Sequence, residues 1–99
     1  MKWYNYIAAF FSGAFLCNAV PHFVQGISGK PFPTPFANPP GVGHSSPMVN
    51  VLWGAFNFLV GYILLRASKV DKQKYAGLIV MFFGIVAMGA MLAVAFEGK

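Results

Sequence analysis

Three long apolar runs, at roughly 3–24, 48–65 and 75–96, fill most of this 99-residue chain. A helix needs about 17–25 residues to cross ~30 Å of hydrocarbon, and each run is of that order. Apolar residues are 58% of the chain and charged residues 9%, against about 25% charged in a soluble domain. Almost every charge lies outside the runs. The expected fold is an all-α integral membrane protein: three transmembrane helices with a long Pro-rich extracytoplasmic loop between helices 1 and 2. One membrane domain covers residues 1–99. Its spans are placed at 3–27, 47–68 and 75–97, the loop at 28–46 and a basic link at 69–74.

The net charge of +5 does not form a nucleic-acid patch, because four of the seven bases (Arg66, Lys69, Lys72 and Lys74) crowd the short link beside Asp71. Bases next to a spanning helix set orientation. They also attract anionic lipid, at ~1 kcal/mol per base near the surface. Three crossings bring Lys2 to the same side as the link, so that side holds five bases and the other holds Lys30 and Lys99. The bias places the N-terminus in the cytoplasm and the C-terminus outside. Trp3, Tyr4 and Tyr6 at the first boundary fit an interfacial aromatic belt.

Run one begins with a single Lys, as a signal peptide does, but its apolar stretch exceeds the usual ~7–15 residues. Cys17 follows Leu16 rather than the small residue a lipoprotein site requires. The run is therefore expected to stay as a helix, with Cys17 packing as a small apolar residue. One cysteine allows no intrachain disulfide.

Six of the seven prolines fall between residues 28 and 47. Pro31, Pro33 and Pro35 block helix and favour extended backbone. Gly41 and Gly43 permit a tight reversal. Ser45 or Ser46 ahead of Pro47 is a strong helix start, and Pro21 is expected to kink or end run one. Prolines at 31, 33, 35, 39 and 40 lower the entropy lost on ordering. Phe32 and Phe36 offer apolar surface to bury. The loop is thus expected to fold over the end of the bundle, as a lid for polar helix ends or as a gate or docking surface.

In run two, Asn50, Gly54, Asn57, Gly61 and Ser68 share a narrow arc at 100° per residue. Small and polar residues on one face of a spanning helix mark a helix–helix contact. Gly77, Met81, Gly84, Met88 and Met91 make a similar stripe in run three, read as packing rather than metal transport because no Cys or His shares that helix. The packing face is accordingly Gly54, Gly61, Gly77 and Gly84. Run one carries the close-approach pairs Ala9–Gly13 and Ala8–Ser12. No internal repeat suggests an inverted-repeat transporter.

The two acids, Asp71 and Glu97, lie at boundaries. Proton-coupled transporters commonly rely on a buried carboxylate. The chain has the size of the small multidrug transporters but three runs instead of four and no intramembrane acid, so it is not assigned to them. What remains at membrane depth is Asn18, His22 and Gln25 late in run one, with Asn50 and Asn57 in run two. Asn18 and His22 are one turn apart. Helical rise puts Asn18 and Asn57 each ~10 Å below its own helix end, so they can meet, with His22 nearer Asn50. This is the one constellation resembling a binding site. Its plainer reading is packing glue worth under ~2 kcal/mol, since polar contacts between membrane helices outnumber sites; His22 could also act as a latch on the loop, in which the protonated ring becomes donor only. His22 and His44 without acids make a poor metal pair, so no metal or cofactor is expected. His44, Ser45 and Ser46 lack an acid to orient the histidine, so no catalytic residue is expected either.

The stretch Asn18-Ala-Val-Pro-His-Phe-Val-Gln-Gly-Ile-Ser-Gly, then Phe32-Pro-Thr-Pro-Phe, then Asn50-Val-Leu-Trp-Gly, resembles a group of small bacterial multi-span membrane proteins with no assigned function. The resemblance covers the end of run one, the loop and the start of run two. It implies a bacterial inner-membrane location and no activity. The sequence thus reads as a non-enzymatic protein working by helix packing, as an accessory subunit of a membrane complex or as a homo-oligomer. The alternative is a small oligomeric transporter or lipid-handling protein with its polar site near the outer leaflet. Lipid bilayer and a larger membrane protein or further copies are the expected partners, and nucleic acid is not.

The base asymmetry predicts that reporter fusions at the C-terminus report an extracytoplasmic location, and that fusions in the basic link report the cytoplasm. A cytoplasmic C-terminus would reverse the assignment and carry the loop to the other side.

Overall fold

The computed structural model describes residues 2–72 and 75–97. Among them it is all-helical but for the loop: α1 (Trp3–Ile27), α2 (Pro47–Ser68) and α3 (Ala76–Ala95), with a short 3-10 turn at Val70–Lys72 between the last two. Each of the three is long and apolar enough to cross a membrane. The long axis of the molecule is 41 Å, close to the ~40–45 Å of a bilayer with its headgroups. Gln73, Lys74, Gly98 and Lys99, parts of the expected link and C-terminus, lie outside the described residues.

The helix ends follow local chemistry. At the start of α1, Asn5 Oδ1 accepts from the Lys2 backbone N–H at 3.2 Å, which satisfies one of the donors a helix N-terminus leaves open. Gly29, at φ +72, turns the chain out of α1, and Lys30 N–H bonds back to the Gln25 carbonyl at 2.9 Å, as helix-terminating glycines allow. Pro21 does not end α1, which runs on to Ile27. In α2, Ser46 caps Val49 N–H at 3.2 Å and Pro47 opens the first turn. The third helix is shorter than the expected 75–97. It stops at Ala95, and Phe96 leaves helical geometry (φ −102, ψ 6), which lets its ring pack on Phe32 at 4.7 Å.

Helix α1 is the shared neighbour of the other two. Both α2 and α3 pack along it and barely touch each other. Toward α2, which runs antiparallel, the closest approaches are at glycine. A Cβ on Gly54 would lie 2.9 Å from the Phe23 backbone nitrogen, one on Gly61 2.7 Å from Leu16 Cγ, and one on Gly26 2.7 Å from the Pro47 carbonyl. Toward α3, which runs parallel, Gly84 meets the Phe10 carbonyl and Gly13 meets the Met81 carbonyl. Such contact replaces the hydrophobic drive that helices lack in lipid.

Gly54, Gly61, Gly77 and Gly84 are buried, but where their contacts are resolved, at Gly54, Gly61 and Gly84, it is α1 of the same chain that covers them. These glycines therefore assemble the protomer and are not free for a second copy. Met91 is 61% exposed, so it leaves the α3 stripe. The face that meets α1 is narrow, because α3 has one neighbouring helix instead of two.

Forcing these contacts apart should destabilise the single chain. Gly54→Leu and Gly84→Leu are expected to cost about 1–3 kcal/mol each in reversible detergent-denaturant unfolding. Gly89→Ala, whose Cβ would sit 3.7 Å from Cys17 Sγ, should stay within about 0.5 kcal/mol. A change in oligomeric state at unchanged stability would show that the glycine face serves assembly after all.

Candidate functional site

Asn50, in the first turns of α2, is completely buried. Beside it the Pro-rich segment closes on itself: Phe32 N–H donates to the Ser45 carbonyl at 3.2 Å and Ser45 N–H to the Phe32 carbonyl at 2.9 Å. The Asn50 amide Nδ2 donates to the carbonyls of Phe32 (3.0 Å), Ser45 (3.2 Å) and Ser46 (3.1 Å). A carbonyl oxygen in that place would face three other oxygens, so the amide orientation is fixed. Asn50 Oδ1 then faces His22 Nδ1 at 2.9 Å. Since Oδ1 only accepts, Nδ1 carries the proton, and in the neutral ring Nε2 keeps its lone pair.

Two turns further along α2, the same logic repeats. Asn57 Nδ2 donates to the Trp53 carbonyl at 2.8 Å, which leaves Asn57 Oδ1 to accept from Asn18 Nδ2 at 3.0 Å. The structure thus joins Asn18 to Asn57 and His22 to Asn50. Gln25 stands apart from both pairs. It is half-buried, and its carbonyl serves the end of α1, accepting from Ser28 and Lys30.

Several contributors lie outside the polar set read from the sequence. Thr34 is 1% exposed. Its hydroxyl pairs with Ser45 Oγ at 2.5 Å and accepts from Phe36 N–H at 3.1 Å, while its carbonyl takes the N–H groups of Ala37 and Gly41. The tight turn at Gly41 uses φ +71. Asn5 Nδ2 donates to the Ala67 carbonyl at 3.2 Å and pins the opposite end of α1 to α2. The His22 ring stands edge-on to Phe32 (5.4 Å), Phe96 (6.2 Å) and Trp53 (6.4 Å). Phe36 reaches Trp53 edge-on at 5.0 Å yet stays 66% exposed, so it caps the tryptophan rather than burying itself.

These elements line a half-open pocket of about 180 Å³ bounded by Asn18 and His22 of α1, Pro33, Thr34, Pro35 and Gly41 of the loop, Trp53 of α2, and Ala95 and Phe96. Trp53 Nε1 is buried and has no hydrogen-bond partner. Nε2 of His22 makes no hydrogen bond among the described residues. Burial of an unpaired donor costs about 1–3 kcal/mol. No carboxylate, lysine or arginine lines the cavity. His44 is exposed, the Ser45 hydroxyl is held by Thr34 and the Ser46 hydroxyl by Val49, so the adjacent trio is not arranged as a nucleophile and its base. Among the described residues no group of three His, Cys, Asp or Glu could hold a metal ion. The arrangement can recognise a neutral group by hydrogen bonds.

Asn50→Ala should release the cap. It removes a donor from three carbonyls and an acceptor from His22, at an expected cost of about 2 kcal/mol, or ~30-fold faster hydrogen exchange at the Phe32 and Ser45 amides. Asn57→Ala should leave those two amides protected, because it holds the helix seam and no loop backbone. Equal protection in both variants would mean that the loop closes without Asn50.

No protein-family model, no curated protein and no solved structure matches this chain.

Proposed function

We propose that this chain is a non-enzymatic multi-pass membrane protein whose working part is the capped end of the bundle, where it holds a small neutral molecule. The pocket of about 180 Å³ under the cap, lined by Asn18, His22 and Trp53 and roofed by Pro33 and Thr34, carries this reading. Beside it the amide directions of Asn50 and Asn57 are set by backbone carbonyls. The proposed setting is a bacterial inner membrane with the N-terminus in the cytoplasm. The cap then faces outside, and the site lies near the outer leaflet. The resemblance and the base asymmetry support that placement.

The packing reading keeps one supporting observation. Large apolar residues such as Leu78, Phe82, Phe83 and Val86 face outward all along α3, and α3 has only α1 beside it. A larger membrane protein or further copies of this chain could cover that face. Against it, Gly54, Gly61 and Gly84, the features that favour close helix association, are already used within the chain.

Purification in mild detergent followed by mass spectrometry of the organic extract tests the choice. The native chain should retain a small molecule at near-stoichiometric amount, and Ala95→Leu, which fills the cavity from α3, should lose it while keeping its helical content. A native chain that carries no small molecule but holds a stoichiometric larger protein would favour the accessory role.

A further inference from the structure

We infer that the groove between α2 and α3 at the link end holds one anionic diacyl phospholipid, with its phosphate at the Arg66 guanidinium and a chain along Leu65, Leu78 and Met81. The groove lies at the opposite end of the bundle from the cap and does not depend on what the cap holds.

The architecture leaves the groove open. Both α2 and α3 pack on α1 and barely touch each other. Between them remains a half-open groove of about 600 Å³, lined by Leu65 and Arg66 of α2, Val70 and Asp71 of the link, and Leu78 and Met81 of α3. That volume lies within the ~300–1,000 Å³ of small-molecule sites. The walls are mostly apolar, and Leu78 is 53% exposed. In a bilayer such a wall meets hydrocarbon, and lipid tails are as apolar as leucine. A chain along the groove satisfies the wall, and the polar rim then selects the head.

Arg66 stands in the last turn of α2, and its Nη1 donates to Tyr62 Oη at 3.2 Å. Tyr62 is four residues back toward the middle of α2, about 6 Å by helical rise. The guanidinium is therefore drawn back along the helix instead of reaching past the link into water. A cation held toward the bilayer needs an anion, yet its described partner is the neutral Tyr62 hydroxyl rather than Asp71. The other N–H groups of the guanidinium form the planar fork that fits a phosphate. Lys69 and Lys72 are exposed on the same short stretch. Residues 66–72 carry three bases and one acid, a net charge of +2.

That charge decides between occupants. A second copy of the chain would bring the same +2 to the groove. A zwitterionic lipid brings a phosphate but also its own cation into a positive rim. An anionic phospholipid brings the phosphate alone, and basic pockets between spanning helices suit such headgroups.

Native mass spectrometry of the full chain released from detergent micelles tests the assignment, with phosphatidylglycerol or phosphatidylcholine of identical acyl chains as the probe. The first phosphatidylglycerol should bind about tenfold tighter than the first phosphatidylcholine. Arg66→Gln, at an exposed position, should remove that preference, a loss of about tenfold on the scale of one charge-assisted hydrogen bond. Lys30→Gln removes the same charge at the other end of a 41 Å molecule, several Debye lengths of ~8–10 Å away, and should change binding less than about twofold. Leu78→Trp, which obstructs the groove from α3 at unchanged charge, should also weaken phosphatidylglycerol binding. Equal binding of the two lipids would overturn the assignment. So would equal losses in Arg66→Gln and Lys30→Gln, which would mean attraction by net charge alone, or full binding in Leu78→Trp, which would place the lipid outside the groove. Dimers of the chain in place of lipid adducts would give the groove to a second copy and overturn it as well.

Discussion

A backbone that leaves helical geometry at the end of an apolar bundle must find partners for its carbonyls and amides close at hand, because little water reaches them. That constraint shapes the loop end of this molecule, and Asn50 answers most of it. Its side chain meets the carbonyls of Phe32, Ser45 and Ser46 together and accepts from His22 on the other side. The loop is thereby tied to α2 through its backbone and to α1 through His22. Serine or threonine could not do this, since a hydroxyl has one proton to give. Aspartate could not either, since it only accepts when ionised.

Helix α1 solves two different packing problems with two faces. The face toward α2 is pinned at three heights by polar side chains: Asn5 to Ala67, Asn18 to Asn57 and His22 to Asn50. The face toward α3 relies on backbone proximity at Gly13 and Gly84, and no side-chain hydrogen bond joins α1 to α3 among the described residues. Interhelical hydrogen bonds in membranes are worth only about 0.6 kcal/mol on average. Their larger effect here is directional. Polar pairs fix register and rotation, whereas glycine contacts allow small sliding.

Much of this was legible in the sequence, for identifiable reasons. Uninterrupted apolar length reveals a spanning helix without any knowledge of its neighbours. Ser46-Pro47 marks the start of α2 by local backbone chemistry alone. Helical rise set Asn18 level with Asn57 and His22 close to Asn50, because straight antiparallel helices joined at one end share a common origin of depth. Other features depend on which surfaces meet. The glycine arc of α2 announced a contact but could not say that α1 of the same chain would fill it. Thr34 looked like one more loop residue, and its burial follows from the closure of Phe32 on Ser45. Trp53 gave no signal of its own. Its importance comes from an indole donor left without a partner, which is a property of the assembled site. Asn5 passed as a boundary residue because its partner is a backbone carbonyl, and a sequence displays no carbonyls.

The same geometry says how α3 is connected to the site. Its helix leans on α1 through glycine and apolar contact, and at the cavity it contributes only Ala95 and the Phe96 just past its end. Phe96 touches the Phe32 ring at 4.7 Å and faces His22 at 6.2 Å. A shift of α3 along α1 would disturb no polar pair, since none crosses that interface among the described residues. It would move one aromatic wall of the cavity while Asn50 kept the other walls fixed. The α1–α2 pair with its cap is therefore the rigid frame, and α3 is the adjustable side. Anything that packed on the outward face of α3 would reach the cavity through Phe96, by packing alone.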